Sequence, residues 1–158
     1  MDRKLIEAFT VNILEIFDQM IGIKIEAEKE INEDSDSIVS YGVSSIVSYT
    51  GELKGRLLLD MEANLAISIA KCITGEEFSD EREDMVLASV SELNNIIAGS
   101  AITQLNNDLK LKLRLAPPVV FAGKGAVVSI PKINSISEMY ISPYGKLKIN
   151  IAFEGGLD

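Results

Sequence analysis

The stretch Asp80–Asn107, DEREDMVLASVSELNNIIAGSAITQLNN, reads as one long helix. Each residue advances about 100° around a helix axis. On that wheel Val86, Val90, Leu93, Ile97, Ala101 and Leu105 share a face, an apolar stripe of the kind a helix buries against a core. Glu92 and Asn95 fall on the opposite face with Ala88 and Gly99, all four within about 60° of one another. Ile96 and Ile102 flank that strip and are expected to point away from the core. A solvated helix face usually carries long charged side chains. This one is shallow, with an acid and an amide three residues apart, which are neighbours on a helix. Gly99 costs about 1 kcal/mol against Ala in a helix interior, and a glycine there suits close approach by another backbone. The acids Asp80, Glu81, Glu83 and Asp84 suit the positive end of the helix dipole, and Asp80 with Glu83 resembles a capping box.

The rest of the chain alternates hairpin-like strands with shorter helices. Asp2–Met20 has the spacing of a core helix ended by Gly22, and Ile23–Ala27 alternates as a strand. Asn32–Ser37 is a polar turn. Ile38–Tyr49 and Glu52–Leu59 read as two strands joined at Thr50-Gly51. Asp60 is placed to cap a helix over Met61–Ile73 that Gly75 closes, with Cys72 as a small buried thiol. Leu109, Leu111, Leu113 and Leu115 alternate with Lys110, Lys112 and Arg114 as a half-buried strand whose basic side is solvated. Pro117-Pro118 breaks it. Val119–Phe121, Ala126–Ile130, Ile136–Ile141 and Lys146–Phe153 are further strands, with turns at Gly123–Gly125 and Pro143–Gly145 and a tail from Gly155. GKG is no phosphate loop, since its spacing is wrong and no helix follows. Strand runs between blocks of helix predict an antiparallel α+β sandwich, one domain over residues 1–158. GELKGRLL at Gly51–Leu58 and GKLKINIA at Gly145–Ala152 form an internal echo. It reflects either two related halves or the common grammar of hairpins.

Composition removes several function classes. A net charge of −9 argues against nucleic acid and anionic membranes as partners, because phosphate binding needs a basic surface. The chain has no histidine and one cysteine, so the usual zinc sites and any Ser-His or Cys-His nucleophile pair are absent. No uninterrupted apolar run approaches about 18 residues and the N-terminus lacks a signal pattern, which predicts a cytoplasmic protein.

Glu92 and Asn95 lie within SELNNIIAGSA, Ser91–Ala101. This segment resembles the signature of the CheC/CheX/FliY family, chemotaxis phosphatases that act on the phosphorylated response regulator CheY. Two further segments are similar to the family: GELKGRLLLDMEANLAISIAKCITGEE, Gly51–Glu77, and LAPPVVFAGKG, Leu115–Gly125. Only Glu92 is followed three residues on by Asn; Glu7 precedes Thr10 and Glu15 precedes Asp18. One such motif resembles the CheX branch rather than the CheC branch, and implies a homodimer. The resemblance implies a CheC-like two-layer sandwich, mainly antiparallel sheet with three helices. It also implies hydrolysis of the aspartyl phosphate of a CheY-like receiver. In that reading Asn95 orients the attacking water and Glu92 docks on a receiver lysine. Ala88, Ile96, Gly99 and Ile102 meet the partner. No cofactor of its own is expected, the Mg2+ being supplied by the receiver. One position departs from the family pattern: Ala88 stands four residues before the Glu, where Asp or Ser is usual, and Ser89 is turned about 100° away. That departure keeps open a non-catalytic adaptor that binds a receiver in the chemotaxis or flagellar-switch machinery. A structural homodimer with another ligand is the third alternative.

Overall fold

The computed structural model describes residues 3–28, 37–129 and 134–154. Helix α1 (Arg3–Ile16) continues into a π-helical turn (Phe17–Ile21) and stops at Gly22, whose φ of 73° lets the chain turn out of the helix. Strands β1 (Glu26–Ala27), β2 (Ser37–Val39), β3 (Gly42–Thr50) and β4 (Lys54–Glu62) follow, then α2 (Ala63–Thr74) and α3 (Asp84–Leu109). The remainder is β5 (Arg114–Leu115), β6 (Val119–Ala122), β7 (Val127–Ser129), β8 (Asn134–Ser142) and β9 (Gly145–Glu154). Every pairing in the main sheet is antiparallel, in the order β1-β8-β9-β4-β3-β5, with β6 also on β3. The expected α+β sandwich with three helices is the observed architecture.

The strands alternate as their sequences require. Val43, Val47 and Tyr49 of β3, Leu57, Leu59 and Met61 of β4, and Leu147, Ile149 and Ile151 of β9 project to one face. There they meet Leu5, Phe9 and Ile13 of α1, Leu65 and Ile69 of α2, and Val86, Val90, Leu93 and Ile97 of α3 in one core. Tyr49 stacks on Phe9 with ring centroids 5.4 Å apart and donates to the Ala152 carbonyl at 3.0 Å. Its ring lies over Gly55, where a Cβ would stand 2.4 Å from Tyr49 Cζ, so only glycine fits. The opposite face carries a small ribbon of β2 paired with β7, packed through Ile38 and Val128 onto Leu58.

Several local expectations are corrected. Asp60 is not a helix cap but a fully buried residue of β4, and Glu62 precedes α2. The Asp60 carboxylate accepts from Ser40 Oγ (2.8 Å), Ser44 Oγ (2.7 Å) and the Tyr41 amide (2.8 Å), fixing the link between β2 and β3. That link divides what read as one strand over Ile38–Tyr49. Cys72 is exposed, because α2 buries the face of Leu65, Ala66, Ile69 and Ala70. Met20, expected in the core, is 47% exposed because the π-helical turn shifts the phase of the last residues of the helix. The leucine alternation over Leu109–Leu115 yields only the two-residue β5. Leu109 still belongs to α3, and Lys110 and Lys112 are left-handed with φ of 56° and 53°. Asn106 holds this segment, donating to the Leu113 carbonyl (3.0 Å) and accepting from its amide (2.7 Å). Leu111 and Leu113 are buried as the pattern predicts, without the strand. The polar turn over Asn32–Ser37 lies, but for Ser37, outside the described residues, as do Ile130 and the tail from Gly155.

The echo has a geometric basis. Gly51–Leu58 and Gly145–Ala152 are 94 positions apart, which makes Leu57 equivalent to Ile151, and these two residues are direct partners between β4 and β9. Exchanging β1 with β5, β3 with β8 and β4 with β9 reverses the order of these six strands and reproduces it, while β6 on β3 has no counterpart on β8 among the described residues. In the ribbon, Ile38 pairs with Val128 at the centre of β2 and β7. The sheet is therefore pseudo-two-fold about an axis near Leu57–Ile151.

Candidate functional site

Helix α3 lies across the sheet and also contacts α1 and α2. Its first turn is set by the acidic segment, one turn later than the sequence suggested. Glu83 accepts from the amides of Ser79 (2.9 Å) and Asp80 (3.0 Å), and Asp80 accepts from the Arg82 amide (2.8 Å). Helical hydrogen bonding then starts at Asp84. The Arg82 guanidinium beside Asp80 holds that carboxyl down at about 2, so this N-terminal anion survives mild acid.

Packing on several sides gives α3 a broad buried arc: Val86, Ser89, Val90, Leu93, Asn94, Ile97, Ala98, Ala101, Ile102 and Leu105. The sequence stripe supplied the centre of that arc and missed its breadth. Ile102 is the correction among the expected site residues. It is 7% exposed and part of the main core, not a rim contact, since a helix flanked by two others buries more than one stripe. By length and composition α3 is also apolar enough to cross a membrane, one 18-residue window having a mean hydropathy of 1.3. Half of that window is buried inside the fold.

The narrow remaining face carries the other predicted residues together. Ala88 and Glu92 are exposed, and Asn95, Ile96 and Gly99 are half-buried. Among the described residues neither Glu92 nor Asn95 has a hydrogen bond or ion pair. An acid and an amide about 5–6 Å apart at Cβ are thus held on a rigid helix with their polar atoms unused. An alanine Cβ at Gly99 would meet only Leu115 Cδ1, at 3.7 Å, an ordinary contact. The fold itself does not require glycine there. Beyond it the strip opens into a shallow depression lined by Ile96, Gly99, Ser100, Thr103, Gln104, Asn107 and Asp108. Ser89, the nearest hydroxyl to the missing polar group at Ala88, does not replace it: it is buried and donates to the Met85 carbonyl at 2.7 Å.

Sequence reasoning passed over Asn94, read only as one letter of the motif. It is fully buried beneath the strip. Its amide nitrogen lies 3.0 Å from the Ser45 carbonyl, 3.1 Å from Ser45 Oγ and 3.3 Å from the Leu57 carbonyl. With three acceptors around the nitrogen the amide orientation is unambiguous. Among the described residues its Oδ1 has no hydrogen-bond partner, a burial that costs about 1–3 kcal/mol. The signal was available: an amide at a position that the helical wheel places beside Val90 and Ala101, on the buried side.

No three Asp, Glu or Cys side chains among the described residues gather in a way that would hold a metal ion. The site can position a water or a polar group and pair with a cation. It offers no histidine and no nucleophile beside a base.

These features define a class: an antiparallel sandwich whose central helix turns a Glu and an Asn outward, neither of them paired among the described residues. The family described as chemotaxis phosphatase CheX matches residues 43–141, and the chain belongs to that family. Solved structures share the fold. A CheC-like superfamily protein from Shewanella sp. PV-4 is 25% identical, with a TM-score of 0.87 over 98% of this chain and 100% of its own. Chemotaxis protein CheX from Desulfovibrio desulfuricans is 21% identical, with a TM-score of 0.84 over 95% of this chain and 99% of its own. A CheX–CheY–BeF3–Mg2+ complex from Borrelia burgdorferi contributes a chain 24% identical, with a TM-score of 0.76 and 97% of both chains covered. No curated protein sequence matches the chain significantly.

Proposed function

We propose that this protein hydrolyses the aspartyl phosphate of a CheY-like receiver, with Asn95 orienting the attacking water and Glu92 docking the receiver. The observation that carries the reading is the pair itself, unpaired and outward on a buried helix, in a chain of the CheX family. An acyl phosphate is already activated. Water adds to phosphorus, the bond from phosphorus to the carboxylate oxygen breaks, and aspartate and inorganic phosphate result. What an enzyme adds is position and electrostatics. The Asn95 carboxamide can accept from and donate to one water and hold it in line. A neutral amide is no strong base, so its role is orientation. Glu92 is repelled by phosphoryl oxygens and suits a cation, such as a receiver lysine. The CheX–CheY complex contains Mg2+, which supports a metal carried by the receiver.

The homodimer and the cytoplasmic setting belong to the same reading, and sedimentation velocity at micromolar concentration tests the first. The alternative, an adaptor that binds the receiver without hydrolysis, is favoured by Ala88 and the burial of Ser89. Phosphate release from a phosphorylated CheY-like receiver separates the two. Wild type is expected to accelerate it. Asn95→Ala is expected to lose about 100-fold or more in turnover, and Glu92→Gln to weaken receiver binding about tenfold. Phosphorylation-dependent binding without acceleration by wild type selects the adaptor.

A further inference from the structure

We propose that Asn94 is a positioning residue: keyed onto Ser45 and the Leu57 carbonyl, it sets the roll and slide of α3 and so the aim of Glu92 and Asn95. The consequence for catalysis rests on the function proposed above; the positioning itself rests on geometry.

An apolar stripe does not fix a helix by itself. Val86, Val90, Leu93 and Ile97 recur at intervals of three and four residues, so a shift along the sheet exchanges one aliphatic contact for another. Hydrogen bonds are short and directional, and a buried polar group is satisfied in one register only. Among the described residues of α3, Asn94 alone bonds to the strands beneath. Ser89 and Thr103 bond within the helix, Gln104 accepts from Asn12 of α1, and Asn106 holds Leu113. The Asn94 acceptors lie on two strands, Ser45 on β3 and Leu57 on β4, which restrains rotation and translation together. Both Asn94 and Ser45 are 0% exposed, so bulk water does not compete for the bond. Asn95 is the next residue. A roll of about 10° moves a side-chain tip near the outer radius of a helix by about 1 Å, a displacement that can cost about 100-fold in rate.

The test replaces the polar key by a matched apolar contact, Asn94→Leu with Ser45→Ala. The thermal midpoint is expected to be no lower than wild type, since no side-chain polar group is then left orphaned. Receiver binding is expected within about twofold of wild type and turnover at saturating receiver at least about tenfold lower. A crystal structure of the double variant is expected to show α3 displaced on the sheet. Wild-type turnover, or an α3 that superposes on the original, overturns the proposal. If the double variant does not fold, Ser45→Ala alone, which keeps both carbonyl acceptors, is expected to lower turnover about two- to fivefold at unchanged KM; unchanged turnover there overturns it too. If wild type shows no phosphatase activity, the functional reading fails separately and the position of α3 alone decides this proposal.

Discussion

Helices α1 and α3 share one spacing of buried residues, yet they present different chemistry. Each segment ends on a left-handed residue, Gly22 and Lys110, which are 88 positions apart. The same offset relates β1 to β5. It also brings buried residues onto buried residues: Leu5 onto Leu93, Phe9 onto Ile97, Ile13 onto Ala101, Phe17 onto Leu105, Ile23 onto Leu111 and Ile25 onto Leu113. The inner faces of the two helices are thus the same device. Outside they part. Glu92, Asn95 and Gly99 of α3 fall on Lys4, Glu7 and Val11 of α1, all three exposed. Core periodicity therefore dictates which face a helix buries, and a few outward residues dictate what it can do. The fold offers two platforms, and α3 alone carries the Glu–Asn pair.

The largest effect is expected from making α3 copy α1. Glu92→Lys with Asn95→Glu puts a cation where the receiver lysine should dock and a carboxylate beside a phosphoryl group. Phosphate release is expected to fall by about a thousandfold, to the receiver's own rate, with the thermal midpoint almost unchanged because Glu92 is exposed and Asn95 no more than half-buried. Retained activity would mean that the outward residues are not what separates the two helices.

Gly99→Ala makes a smaller change of the same kind. The added methyl meets only Leu115 inside the fold, so unfolding is expected to cost up to about 1 kcal/mol more. The same methyl stands on the proposed docking face, and receiver affinity is expected to drop several-fold. A gain in stability with unchanged affinity would show that no backbone approaches there.

The smallest effect concerns the other face of the sheet. Asp60 of β4 and Glu154 of β9 stand 94 positions apart, as do the two copies of the echo, but Asp60 is fully buried and Glu154 exposed. Burial pushes the Asp60 carboxyl up, against the lowering by Ser44, the Tyr41 amide, Ser40 and Lys148. A carboxyl whose folded value is raised contributes stability that is fully present below its ordinary 3.8 and is lost as pH rises through the folded value. The urea midpoint of wild type relative to Asp60→Asn should therefore be most favourable below pH 3.8 and decline above it. A relative midpoint that instead rises with pH would show the hydrogen bonds outweighing burial.

Much of this was legible in the sequence, for physical reasons. The strand alternations of β4 and β9 and the stripe of α3 are periodic signals that only burial produces, and they gave the sheet and its three helices. The outward strip was legible because the wheel separates Glu92 and Asn95 cleanly from Leu93 and Ile97. Ile102 was misplaced because a wheel knows one core direction, whereas α3 is enclosed by α1, α2 and the sheet. Asp60 looked like a cap because an acid before a helix usually is one; its real partners, Ser40 and Ser44, are brought to it by strand pairing that no local pattern records. Lys110 and Lys112 kept the leucine alternation while leaving the strand conformation, since burial of Leu111 and Leu113 is satisfied by either.

The contrast between the helices can be read in one titration. Isotope-labelled protein is mixed with a receiver held in its phosphorylated form, and backbone amide shifts are followed. Perturbations are expected at Ala88, Glu92, Asn95, Ile96 and Gly99 of α3, with Lys4, Glu7 and Val11 of α1 unmoved. Perturbations centred on α1, or none along α3, would contradict the contrast.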